Sequence, residues 1–312
     1  MGMADVSEIA PAPQALGRSR RRHGESVVKA VLLTAALLSV ATTVGIVAAL
    51  LEPTVGFFTH VGIVEFFTST DWGPLFKPPS FGVIPVVTGT LITTVIAIAV
   101  AVPLGLAAAV YLSEYASARI RRVIKPTLEV LAGIPTVALG FFALTLVTPV
   151  MRDWSPFEIS LKNGLSAGLV VGVMIIPIVA SLSEDAMAAV PNGLREGAYA
   201  LGSSRMTVAL RVVLPAAFSG VVAAIILAVS RAAGETMIVV IAAGSNPLFT
   251  VNPADEMLTM ASFIAQAGSG DAPVGTVAYN TIFAVGSLLF VLTFLMNWFS
   301  ARLVRRYREV YE

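Results

Sequence analysis

Apolar residues dominate this chain in long uninterrupted runs, with charged residues gathered in the gaps between them. Neither the two-residue alternation of a half-buried strand nor the one-sided stripe of a surface helix is present in those runs. A hydrocarbon layer about 30 Å thick is crossed by roughly 20 apolar helical residues. Six stretches meet that length: Ala30–Leu51, Ile84–Leu112, Val130–Val150, Leu165–Leu182, Ala216–Gly244 and Val277–Phe299. The pattern therefore predicts an all-α polytopic membrane protein with six transmembrane helices. Pro85, Pro103, Pro135 and Pro177 fall in or at the second, third and fourth stretches, where each removes a backbone donor and predicts a kink.

Lys and Arg decide the sidedness, because they are retained in cytoplasmic segments. Arg18, Arg20, Arg21, Arg22 and Lys29 precede the first span, and Arg119, Arg121, Arg122 and Lys125 separate the second from the third. Arg195, Arg205 and Arg211 separate the fourth from the fifth, and Arg302, Arg305, Arg306 and Arg308 follow the last. Only Lys77, Arg152 and Lys162 lie in the opposite loops, so both termini are expected in the cytoplasm. The first apolar run exceeds the 7–15 residues of a signal-peptide core and predicts an uncleaved anchor. The expected organisation is a basic, disordered cytoplasmic tail over 1–27, an anchor helix over 28–51, and an extracytoplasmic loop over 52–83. A five-helix core over 84–300 follows, with a cytoplasmic loop at 183–214, and a basic C-terminus over 301–312 ends the chain. The external segments 52–83 and 245–276 are long enough either to bind an external partner or to serve as caps over the bundle.

Composition narrows the chemistry. Of 312 residues, 56% are hydrophobic and 12% charged, about half the charged fraction of soluble domains. A net charge of +1 argues against a nucleic-acid partner. Cysteine is absent, which excludes disulfides, thiolate metal sites and a cysteine nucleophile. His23 and His60 have no second ligand at metal-binding spacing, and no HExxH, G-x-S-x-G or P-loop sequence occurs. An enzyme is not indicated, and any ATP must be bound and hydrolysed by a partner.

The loop at 183–214 is patterned. Pro191 and Asn192 interrupt the helix leaving the fourth span, Leu194–Leu201 fits two turns, Gly202 supplies a left-handed stop, and Ser203 or Ser204 caps a helix running into Pro215. Leu194, Ala198 and Leu201 share one face, the arrangement of a short helix presented to a partner's groove. Glu196-Gly197-Ala198, then Gly202 after three residues, then Val212-Val213-Leu214-Pro215 after nine more, resembles the E-A-A…G…I-x-L-P loop of permeases of binding-protein-dependent ABC importers. Gly197 and Val212 depart from that pattern. The resemblance implies a type I importer permease fold and assigns Leu194, Glu196, Ala198, Leu201, Gly202, Leu214 and Pro215 to coupling with a separate ATPase.

Further strings resemble the phosphate-specific transport system: Ala101-Val102-Pro103-Leu104-Gly105, Leu128 to Pro135, and Arg231-Ala232-Ala233-Gly234-Glu235-Thr236-Met237. Met237 and Leu258-Thr259-Met260-Ala261-Ser262 are more similar to its C-type than to its A-type permease. What this implies is a subunit of the bacterial inner membrane that works with an A-type permease, an ATPase dimer carrying ATP and Mg, and an extracytoplasmic phosphate-binding protein. It implies no cofactor bound by this chain.

Arg231 and Glu235 lie mid-span, where a lone charge costs about 2.5–3.5 kcal/mol. Four residues apart, they can neutralise each other. Three readings stand: an ion pair that only fixes the helix, a pair lining a route for an oxyanion such as phosphate, or a proton relay through Glu235. The corresponding functions are an ATP-driven importer of phosphate, the same machine for sulfate or molybdate, and a proton-coupled carrier.

Overall fold

The computed structural model describes residues 23–307. Fourteen α-helical segments and one two-stranded ribbon occur among them: α1 (His23–Phe58), α2 (Ile63–Thr68), the strands β1 (Trp72–Gly73) and β2 (Ser80–Phe81), α3 (Ile84–Val110), α4 (Ala118–Ala132), α5 (Thr136–Phe142), α6 (Thr148–Trp154) and α7 (Gly164–Ala188). Then come α8 (Asn192–Ala200), α9 (Arg205–Val208), α10 (Leu214–Ala216), α11 (Phe218–Ala233), α12 (Met237–Ala242), α13 (Met260–Gln266) and α14 (Val277–Tyr307). The all-α expectation holds apart from the ribbon, in which Trp72 faces Phe81 in antiparallel register.

Five helical runs are long and apolar enough to cross a membrane: Glu25–Phe58, Ile84–Tyr115, Thr136–Trp154, Gly164–Ala188 and Val277–Arg302. A sixth requires Arg205–Ala216 and Phe218–Ala233, bent by 75°, to count as one span. Several boundaries differ from the sequence reading: α7 runs through residues 183–188 of the expected loop and α14 runs past Phe299 to Tyr307. Helix α1 already contains residues 23–27 and continues through Glu52 and Pro53 to Phe58, while residues 1–22 of the expected tail lie outside the described residues. Val130–Ala132 belong to α4, because Pro135 in an extended conformation starts a new helix, α5. The stretch expected as one fifth span is interrupted at Gly234–Thr236.

The chain divides after Ala49 into two compact units. In the first, α1 is apolar all round and its side chains are exposed, among them Leu32, Leu37 and Leu38, which suits lipid rather than water. Thr42 and Thr43 return their hydroxyls to the carbonyls of Leu38 and Ser39 at 2.8 and 3.0 Å, so that neither is left unpaired in an apolar medium.

The second unit is built on α3 packed against α7. Small residues let the two backbones approach: a Cβ on Gly168 would sit 2.8 Å from Ile96 Cβ, and one on Gly172 would sit 2.8 Å from the Ala97 carbonyl. Close approach replaces the hydrophobic driving force that lipid does not provide. Asn163 caps α7, its Oδ1 accepting from Ser166 N at 2.7 Å, and Thr148 donates to Ser166 Oγ at 2.9 Å. At the end of the bundle bearing the ribbon, Phe57, Phe66, Trp72, Val83 and Phe263 form a second core. Trp72 meets Phe263 edge-on with ring centroids 4.8 Å apart, a favoured aromatic geometry. The segments expected outside are thus partly folded into the unit, since α13 carries buried Met260, Ala261, Ser262 and Phe263.

Candidate functional site: a protruding helix and a broken membrane helix

Pro191 is extended and cannot continue α7, so the chain turns and restarts as α8. Gly202 follows α8 with φ +80°, and the Ser203 N–H returns to the Ala198 carbonyl at 3.1 Å, a left-handed stop that favours glycine. Ser204 then caps α9, accepting from Thr207 N at 3.3 Å. A π-helical turn over Ala209–Val213 leads into α10, and the chain bends by 75° before α11.

The residues singled out in this loop part company. Leu201 is 88% exposed and Leu194 38%, whereas Ala198 and Leu214 pack on a cluster formed by Ala109, Met187, Val190, Val208, Val213, Ala217 and Val221. Glu196, Gly202 and Pro215 are exposed. Ala198 therefore seats α8 on its own bundle while Leu201 projects from it. The single apolar face expected for Leu194, Ala198 and Leu201 is divided between two surroundings.

At the second locus, α11 ends at Ala233 and α12 begins at Met237, with Gly234 at the turn. Arg231 Nη1 donates to Glu235 Oε2 at 2.8 Å. Arg231 lies in the last turn of α11, where a cation meets the negative helix end, and Glu235 precedes α12, where a carboxylate meets the positive end. Glu235 Oε1 also accepts from Ile238 N at 3.4 Å. The pair expected on one continuous helix spans a break instead. Exposure is uneven: the Arg231 side chain is 44% exposed and the Glu235 side chain 2%.

Two further charged clusters were not anticipated. Glu114, in the π-helical turn that ends α3, is bound by Arg195 of α8 at 3.2 Å, with side chains 3% and 14% exposed. Glu184, near the end of α7, is 2% exposed and receives Lys125 Nζ at 2.7 Å and Arg121 Nε at 3.5 Å. Lys125 also bonds Asp185. Burial would lower the Lys125 ammonium, but the hydrogen bonds and charges of Asp185 and Glu184 outweigh it, and its pKa lies above the ordinary lysine value.

The sequence profile of the binding-protein-dependent transport system inner membrane component matches residues 101–309. The chain belongs to that family. It is a multi-pass membrane transport subunit without a nucleotide site of its own sequence. Among its relatives, a probable ABC transporter permease protein, YqgH, of Bacillus subtilis is 34% identical over 89% of this chain and 90% of its own. The phosphate transport system permease protein PstC of Xylella fastidiosa is 34% identical over 74% and 75%, and PstC 1 of Mycobacterium bovis 34% over 78% and 82%. The fold is shared with a bacterial alginate ABC transporter, at TM-score 0.65 and 14% identity over 93% of this chain and 98% of that one. It is also shared with the MetNI methionine ABC transporter, at TM-score 0.53 and 21% identity over 73% and 95%. These likenesses make the type I ABC importer permease fold the architecture of this chain.

Proposed function

We propose that this chain is the C-type permease of an ATP-driven importer of inorganic phosphate, set in the bacterial inner membrane with both termini in the cytoplasm. The observation that carries this reading is the geometry of α8: a short helix held between an extended proline and a left-handed glycine, seated through Ala198 and presenting Leu201 outward. A side chain of that size left 88% exposed beside a rigid turn suits insertion into a partner's groove. The names of the relatives support phosphate as the substrate, and the family's description supports an extracytoplasmic binding protein; a second, A-type permease and an ATPase dimer complete the proposed assembly. ATP and Mg belong to the ATPase, and this chain binds no cofactor.

In this reading, ATP-driven closure of the ATPases moves α8 of each permease, and the paired permeases open outward to accept the anion. Glu196 and Leu201 meet the ATPase, Leu194, Ala198 and Gly202 set the helix, and Leu214 and Pro215 join it to the bend before α11. Arg231 lines the route. Its Nη1 is held by Glu235 while 44% of the side chain stays exposed, which leaves a forked donor set suited to an oxyanion. Glu235 competes with the anion for the guanidinium, which keeps binding weak enough for release. Uptake of labelled phosphate by cells expressing the full assembly tests this. Phosphate uptake surviving a large excess of sulfate or molybdate is the expected result, and displacement by either assigns the machine to that oxyanion instead.

A further inference from the structure

The two unanticipated clusters share one design. Arg195, on α8, donates Nη2 to the Met187 carbonyl at 2.7 Å and Nη1 to the Val190 carbonyl at 2.5 Å, closing the end of α7. From Nε and Nη2 it also bonds Glu114 Oε1 at 3.3 and 3.2 Å, on the end of α3. Arg121, on α4, does the reverse. It donates Nη2 to the Leu112 carbonyl at 2.6 Å and to the Ser113 carbonyl at 2.9 Å, and Nε to the Leu112 carbonyl at 3.0 Å, closing the end of α3, and it lies within ion-pair distance of Glu184 on α7, 3.5 Å from Nε to Oε1. Each arginine thus neutralises the negative end of one membrane helix while facing a buried carboxylate on the other, hydrogen-bonded to it in the case of Arg195 and ion-paired in the case of Arg121. Helices α3 and α7 are cross-tied at one end, and the ties are made by the two flanking helices α4 and α8.

We infer that Arg195 and Glu114 are positioning residues that make α8, α3 and α7 move as one body, so that displacement of the protruding helix is delivered to the membrane core rather than lost in the hinge at Pro191. This rests on the importer reading. Without the tie, α8 would be held to the end of α7 by the Val190–Pro191 link and by apolar packing through Ala198. A guanidinium fork that engages three acceptors at the ends of two other helices fixes angle as well as distance, which a lysine, a single compact donor group, does not. The compliant points then lie elsewhere in the chain, at the 75° bend before α11 and at the Gly234–Thr236 break.

The test uses the complete assembly, with both permeases, the ATPases and the binding protein, reconstituted in liposomes. Phosphate taken up per ATP hydrolysed is measured for the parent, Glu114→Gln and Arg195→Lys. The inference expects Glu114→Gln to keep the ATPase turnover of the assembly while phosphate per ATP falls about tenfold, the scale set by one lost charge-assisted hydrogen bond. Arg195→Lys, which retains charge without the fork, falls between the two. An unchanged ratio in both variants overturns the inference, as does a parallel fall of uptake, ATPase turnover and assembly yield, which marks a merely structural role. Because the chain has no cysteine, Ala107→Cys and Gly193→Cys, both at exposed positions, take a clean pair of spin labels on α3 and α8. Their separation is expected to stay constant between nucleotide-free and ATP-bound parent and to broaden with Glu114→Gln; a separation that changes with nucleotide in the parent also overturns it. Failure of the importer reading shows differently, as a parent assembly that moves no phosphate with ATP.

Discussion

Removing either member of the Arg231–Glu235 pair is expected to have unequal effects. Arg231→Met takes the partner from a carboxylate whose side chain is only 2% exposed, and an orphaned buried charge costs about 3–5 kcal/mol. Glu235→Gln leaves behind a guanidinium that is 44% exposed and keeps an oxygen for the Ile238 N–H. If that exposed side faces a water-filled route, the cost is about 1 kcal/mol, one ordinary hydrogen bond. If it faces lipid, a lone arginine costs about 2.5–3.5 kcal/mol and the two variants become alike. Thermal unfolding of the purified chain in lipid nanodiscs, followed by intrinsic fluorescence, measures the difference. The double variant, with no charge left to orphan, is expected to be more stable than Arg231→Met, yet to remain inactive in phosphate uptake. Equal destabilisation by the two single variants refutes the water-lined placement of Arg231. Recovery of uptake in the double variant refutes its role in meeting the anion and leaves the pair a structural fastening.

Other outcomes follow from the same geometry. Leu201→Ser removes a fully projecting side chain, so the fold is expected to change by less than about 0.5 kcal/mol while co-purification of the ATPase is lost; retained co-purification shows that Leu201 is not a docking residue. Gly168→Val forces side-chain atoms onto Ile96 and the Thr93 carbonyl, where even a Cβ would sit at 2.8 and 3.0 Å, and is expected to destabilise by about 1–3 kcal/mol, read as a lower unfolding temperature. Because the Lys125 pKa is raised on folding, the stability it adds is complete below the unfolded value of about 10.4 and disappears as pH climbs through the native one. Lys125→Met is therefore expected to unfold at a lower temperature than the parent across pH 6–9, with the gap closing only in strong alkali.

Uninterrupted apolar runs made the membrane spans legible, since length and the absence of charge are the same physical requirement that lipid imposes. Boundaries were less so. Glu52 and Pro53 read as a stop, yet α1 runs on to Phe58 because the core formed by Phe57, Phe66 and Trp72 rewards continued helix at that end. The break at Gly234–Thr236 left only a glycine as its local mark, and what sustains it is tertiary: Ile238 and Ile241 of α12 close over Gly140 of α5. In the loop at 183–214 the stops at Pro191 and Gly202 were written locally and are found there, Ser204 is the cap of the two serines read, and α8 starts at Asn192, two residues before the expected Leu194. Glu114 and Glu184 escaped notice because they sit at the ends of apolar runs, where a charge looks solvated. Their partners Arg195 and Lys125 lie 81 and 59 residues away, a separation that no local pattern reveals, and the same basic residues served in the sequence only to fix sidedness.

Energy source is the claim on which the rest depends. Liposomes holding the complete assembly, with phosphate-loaded binding protein on the outside and ATP sealed within, separate the alternatives directly. The account predicts labelled phosphate accumulation that requires both ATP and binding protein, stops with vanadate and persists after a protonophore. Accumulation driven by an imposed proton gradient without ATP contradicts it.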